Sequence, residues 1–113
     1  MSTVKEINLT ALKAAREFAE KIHELIPEAV VKLFGSAARG EMEELSDIDI
    51  YIELPDEADL DSTKEQLSII AWETGLKYDQ VFQEVLYRKS EVWNSPLRSS
   101  PFIKAVMKEG VTL

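Results

Sequence analysis

Residues 35–54 read GSAARGEMEELSDIDIYIEL, and two kinds of local order meet in them. The second half alternates strictly. Ile48, Ile50, Ile52 and Leu54 fall to one side, and Asp47, Asp49, Tyr51 and Glu53 to the other, the pattern of a β-strand with one apolar face. The first half follows the apolar, partly β-branched run AVVKLF (29–34), which reads as a buried strand stopping at Gly35. Glycine lets a backbone approach a ligand closely, and the N–H groups that open a helix suit phosphate. The Ser36 hydroxyl can donate to a phosphate oxygen, and Arg39 can pair with phosphate in a forked geometry. Asp47 and Asp49, two apart on a strand, point the same way and lie about 6–7 Å apart along the backbone. They can converge on one or two divalent cations, and oxygen-only ligands suit Mg²⁺. Each half also has a plainer reading. The alternation fits an amphipathic edge strand with a solvated polar face, and Gly-Ser fits a simple strand–turn–helix junction with Ser36 as the cap.

Working outward, the apolar positions Ala11, Ala15, Phe18, Ile22 and Leu25 recur at helical spacing. Asn8 or Thr10 can cap that helix, Thr3 with Glu6 offers a capping box, and Pro27 ends it. The acidic stretch 41–44 reads as a short helix and loop. After the polar loop 55–59, Ser62 and Glu65 form a second capping box. Leu67, Ile70, Ala71 and Thr74 then make a helical face closed by Gly75. Tyr78 to Tyr87 reads as a third strand, and Ser90 to Trp93 as one helical turn ended near Pro96. Ser100-Pro101 opens a last helix with Phe102, Ile103, Val106 and Met107 inward and Gly110 at its end. The order of elements is that of an α/β (α+β) domain, a single unit over residues 1–113 without repeats or linkers.

Bulk composition narrows the function classes. Twenty-one acidic against 13 basic residues give a net charge of −8, the wrong sign for tracking a nucleic-acid backbone. Clustered carboxylates are matched better by a metal ion or a basic protein partner. Cysteine is absent, which excludes a disulfide framework and thiolate metal sites. No apolar run approaches the ~20 residues of a membrane span, and the N-terminus lacks the pattern of a signal peptide. A soluble cytoplasmic protein without a membrane role is the expectation.

Two phosphate- and metal-binding motifs are excluded by single residues. Gly35 and Gly40 have P-loop spacing, but Glu41 stands where the lysine is required. The acids from Asp47 resemble the start of a calcium loop, but Tyr51 and Ile52 occupy a ligand position and the turn glycine.

Taken together, LFGSAARG (33–40) and SDIDI (46–50) resemble the signature of the DNA polymerase β superfamily of nucleotidyltransferases, in its minimal single-domain branch. The resemblance implies a polymerase-β-like fold, a small mixed β-sheet flanked by helices. It implies nucleotide binding by Gly35, Ser36, Arg39 and Ser46, and Mg²⁺ held by Asp47 and Asp49. A third carboxylate on a later strand is implied as metal ligand and catalytic group. Asp79 is the favoured candidate and Glu84 the alternative, on opposite faces by parity. The implied reaction uses ATP or another nucleoside triphosphate and transfers the nucleoside monophosphate with release of pyrophosphate. Minimal domains of this kind are paired with helical HEPN proteins as antitoxins, and the transfer of AMP to a tyrosine of the toxin is implied in turn. Two alternatives stand beside it: a catalytically weak or inactive module that neutralises its partner by contact, and a nucleotidyltransferase acting on a small molecule. His23, Trp72 and Trp93 are expected in ordinary surface or packing roles, and Tyr87, Arg88 and Lys89 as a solvated strand end.

Overall fold

The strand of strictest alternation becomes β2 (Ile48–Leu54), and it lies inside the sheet rather than at its edge. The computed structural model describes residues 9–40 and 47–113. The four strands of the sheet run in the order β3-β2-β1-β4. β1 (Val30–Phe34) pairs antiparallel with β2, Leu33 opposite Ile50 and Phe34 opposite Asp49. β3 (Phe82–Arg88) pairs parallel with β2, Ile48 opposite Phe82 and Asp49 opposite Gln83. β4 is only Val111–Thr112, against Leu33 and Lys32 of β1. Two residues are too few to show a period, so the sequence carries no sign of that strand.

One sheet face is covered by α1 (Leu9–Leu25) and α3 (Leu60–Tyr78). Ile48, Ile50, Ile52 and Leu54 are fully buried there against Ala15, Phe18 and Ile22 of α1 and Leu67 and Ala71 of α3. The alanines on α1 let the helix sit close to the sheet, while Phe18 fills the gap and meets the Phe82 ring at 4.7 Å. Leu25, expected inward, is 43% exposed. His23 Nε2 donates to the Ala29 carbonyl oxygen at 2.9 Å and ties the helix end to the start of β1.

The opposite face departs from expectation. Tyr51 and Glu53 do not form a solvated edge; both are buried. The C-terminal elements fold over them: α4 (Lys89–Trp93), a 3₁₀ turn over Pro96–Ser99 and α5 (Pro101–Glu109). Val92, Ile103 and Val106 need apolar contact, and Tyr51 supplies it. The rings of Tyr87 and Tyr51 lie 5.8 Å apart, so Tyr87 is not part of a solvated end. Trp93 Nε1 donates to Glu53 Oε1 and satisfies that buried carboxylate.

Helix ends also differ from the sequence reading. Asp59, not Ser62, caps α3, its carboxylate accepting from the Ser62 N–H at 3.2 Å. The helix runs past Gly75 to Tyr78 and closes on Asp79 in the left-handed region, φ 52°. Gly75 serves a close approach instead. The chain folds back so tightly that a Cβ there would meet the Gln80 carbonyl oxygen, whose own N–H donates to the Gly75 carbonyl oxygen at 2.9 Å. At α5 the expectation holds: the Ser100 hydroxyl accepts from the Ile103 N–H at 3.1 Å. The stretch 41–44 and the caps at Thr3, Glu6 and Asn8 lie outside the described residues.

Trp93→Phe keeps an aromatic ring but removes the donor to a buried carboxylate. A stability loss of about 1–3 kcal/mol is expected, measured as a lower urea midpoint with an unchanged slope.

Candidate functional site

The tight junction after β1 and the start of β2 come together at one end of the sheet. Gly35 has φ +70°, a conformation that costs other residues roughly 1–2 kcal/mol. The space beside its Cα is filled by a side chain from another strand: a Cβ on residue 35 would overlap Asp49 Oδ2. The turn after β1 and Asp49 of β2 therefore touch in space. α2 is the short turn Gly35–Ala38, capped by Phe34 with no side-chain hydrogen bond. Ser36 lies inside that turn, so the plainer reading of Ser36 as the cap does not hold. Arg39 follows as its C-terminal cap, exposed and 3.8 Å from Glu109 Oε2 of α5.

Asp47 is exposed immediately before β2, and Asp49 is half-buried within it. Burial pushes the Asp49 carboxyl above its ordinary value, the negative charge of Asp47 adds to that, and the Arg39 guanidinium opposes it. The like-charge repulsion shows that the two acids share a field. Clustered oxygen donors with a guanidinium close by suit a hard divalent cation that also carries phosphate.

The sheet face decides how open this site is. Asp49, Tyr51 and Glu53 share one side of β2. The C-terminal elements cover the Tyr51–Glu53 end, whereas Asp47 and Asp49 keep access to solvent. A pair of carboxylates is left at the mouth of a buried face.

Neither of the two acids considered for a third ligand is the ladder neighbour of Asp49. Asp79 is not on a strand but at the left-handed end of α3, three residues before β3 begins. Its neighbours line a groove of about 340 Å³ under α3, with Trp72, Leu76 and Val81. Glu84 pairs with Ile50, and its carboxylate accepts from the Ser68 hydroxyl of α3 at 3.4 Å, which puts it on the helix-covered side. Among the described residues no group of three or more acidic or histidine side chains is placed to hold a metal. The residue that does stand beside Asp49 is Gln83, directly opposite it in the parallel ladder and exposed. Sequence reading passed over it because Phe82, Val85 and Leu86 do not define one apolar parity for β3. Ser46 lies outside the described residues. Trp72, expected in ordinary packing, is 68% exposed on α3.

Two outcomes are expected. Gly35→Ala, which adds a disfavoured φ and a collision with Asp49, should cost at least about 1–2 kcal/mol, read by chemical denaturation. In metal-free protein, the raised Asp49 value means that the folded site still holds a proton at a pH where an ordinary aspartate has released it. A cation must displace that proton, so its affinity should rise with pH through this window. Asp47→Asn should lower the Asp49 midpoint in an NMR carboxyl titration.

Comparison with known proteins identifies the family. The nucleotidyltransferase domain family matches residues 15–111. A Methanocaldococcus jannaschii protein named "putative protein adenylyltransferase" is 32% identical over 81 residues, which make up 70% of this chain and 81% of that one. The crystal structure of a "putative nucleotidyltransferase" from Sulfolobus solfataricus superposes with a TM-score of 0.50 at 18% identity, covering 93% of this chain and 86% of that one; it speaks to the fold alone. With the family matched over nearly all of its length and its two signature segments meeting in one site, the chain belongs to the nucleotidyltransferase domain family of the polymerase-β-like superfamily.

Proposed function

We propose that this protein is a cytoplasmic, Mg²⁺-dependent nucleotidyltransferase that moves AMP from ATP to a hydroxyl on a partner protein, as the antitoxin of a HEPN-type pair. The observation that carries the reading is the contact of the Asp49 carboxylate with the Gly35 backbone. It brings a phosphate-type turn and a cation-type acid pair within reach of one triphosphate. Asp47 and Asp49 would hold the cation. The open Gly35 backbone, the Ser36 hydroxyl, Arg39 and Ser46 would orient the phosphates. When bound, Mg²⁺ supplies neutralisation of phosphate charge. The acceptor oxygen would form a bond to the α-phosphorus in line with the departing pyrophosphate, whose bridging P–O bond breaks, and the hydroxyl proton would pass to solvent. Such catalysis rests on positioning and charge, which two carboxylates on a central strand and a guanidinium beside them can provide. A protein acceptor is supported by the M. jannaschii relative, whose name is that of a protein adenylyltransferase. The net charge of −8 speaks against a polynucleotide acceptor.

A second reading, a module that neutralises its partner by contact alone, is favoured by the ladder neighbour of Asp49 on β3 being the amide Gln83 and not a carboxylate.

Incubation with α-labelled ATP, Mg²⁺ and a candidate HEPN partner separates the two. Label is expected on the partner, and Asp47→Asn or Asp49→Asn should reduce it by roughly 10²–10³-fold. If label never appears and the double variant still neutralises the partner as wild type does, the contact reading replaces the catalytic one.

A further inference from the structure

The parallel ladder between β2 and β3 sets an amide directly beside Asp49. Asp49 and Gln83 are register partners, so their Cα atoms lie about 4.8 Å apart across the ladder and their side chains leave the same face. That face is defined independently: the next partners along it, Tyr51 with Val85 and Glu53 with Tyr87, pack together under the C-terminal helices. Phe82, Glu84 and Leu86 belong to the other face. Gln83 is thus the β3 side chain placed to reach a cation held at Asp49, and its side chain is exposed.

An amide is a different ligand from a carboxylate. Its carbonyl oxygen can accept a hydrogen bond or complete a cation's shell, but it brings no charge. Two divalent cations about 3.5–4 Å apart repel each other strongly and need anionic oxygens to hold them together. Mg²⁺ is commonly held by one or two carboxylates together with substrate phosphates. Asp47, Asp49 and a triphosphate meet that need for one cation. A second would require a further negative group, and the place beside Asp49 on β3 carries none.

We infer that Gln83 makes this a one-cation site: the chain holds a single divalent ion with its nucleotide, and the neutral Gln83 amide is what prevents tight binding of a second. The inference rests on the nucleotide-binding reading above and goes beyond it by fixing the cation count and naming the residue that sets it. Gln83 then acts as a specificity-determining residue, contributing a hydrogen-bonding amide to the phosphates or to the water around the ion.

The test counts Mn²⁺ by electron paramagnetic resonance, with full-length protein saturated by an ATP analogue carrying a methylene bridge between the α- and β-phosphorus. Wild type is expected to bind one tight Mn²⁺ per nucleotide. Gln83→Asp should bind two, with the second at least about tenfold tighter than in wild type. Gln83→Ala should stay at one. Glu84→Gln, on the opposite face, should leave the count unchanged. Because Gln83 is exposed, the substitutions should leave the fold intact, which circular dichroism checks. Two tight ions in wild type, or one in both wild type and Gln83→Asp, would overturn the inference while leaving the nucleotide site standing. If neither protein binds the Mn²⁺–nucleotide complex, the inference falls together with the reading beneath it.

Discussion

The carboxylate of Asp49 fills the volume where any residue but glycine would place a Cβ at position 35. That contact is a steric constraint before it is a chemical one. It holds the turn after β1 against the second residue of β2, in a left-handed backbone conformation that glycine adopts readily. The antiparallel register agrees, with Phe34 opposite Asp49. The same packing that closes the β1–β2 corner therefore also sets the distance between the turn and the acid. Because it half-buries Asp49 next to Asp47, the corner disfavours the charged form of that carboxylate.

β2 carries this site on a strand with two different fates. Its isoleucines lie in the larger core between the sheet and α1 with α3, which makes the strand rigid. Its other face changes character along its length. Tyr51 and Glu53 are sealed beneath α4 and α5, with Trp93 supplying the hydrogen bond that a buried carboxylate needs. Asp49, two residues back, is left at the rim. Arg39 reaches the same region and sits near Glu109 of α5. The C-terminal segment therefore shapes the site as well as completing the core.

Which further residues can join the pair is a question of register. In a parallel ladder a shift of one residue exchanges every side chain between faces. The observed pairing sends Glu84 to the helices and Gln83 to the acids. Asp79 is off the strand for a different reason. α3 continues through Gly75, because that glycine makes room for the returning backbone, and the extra turn places Asp79 in the helix cap.

The sequence by itself determined the local features. Strict alternation in 47–54 determined β2, and the helical spacing of Ala11, Ala15, Phe18 and Ile22 determined α1. Ser100-Pro101 determined the start of α5, and the two signature segments determined the family. Each follows from a period or a cap that a few neighbouring residues express without help from the rest of the chain. Only the tertiary structure decided that Gly35 and Asp49 touch, that Tyr51 and Glu53 are buried, and that a two-residue β4 exists. It alone decided that Gln83, and neither Asp79 nor Glu84, stands beside Asp49. Those outcomes depend on strand order, ladder register and the covering of one face by distant helices, and such long-range pairings leave no period in the sequence to be read.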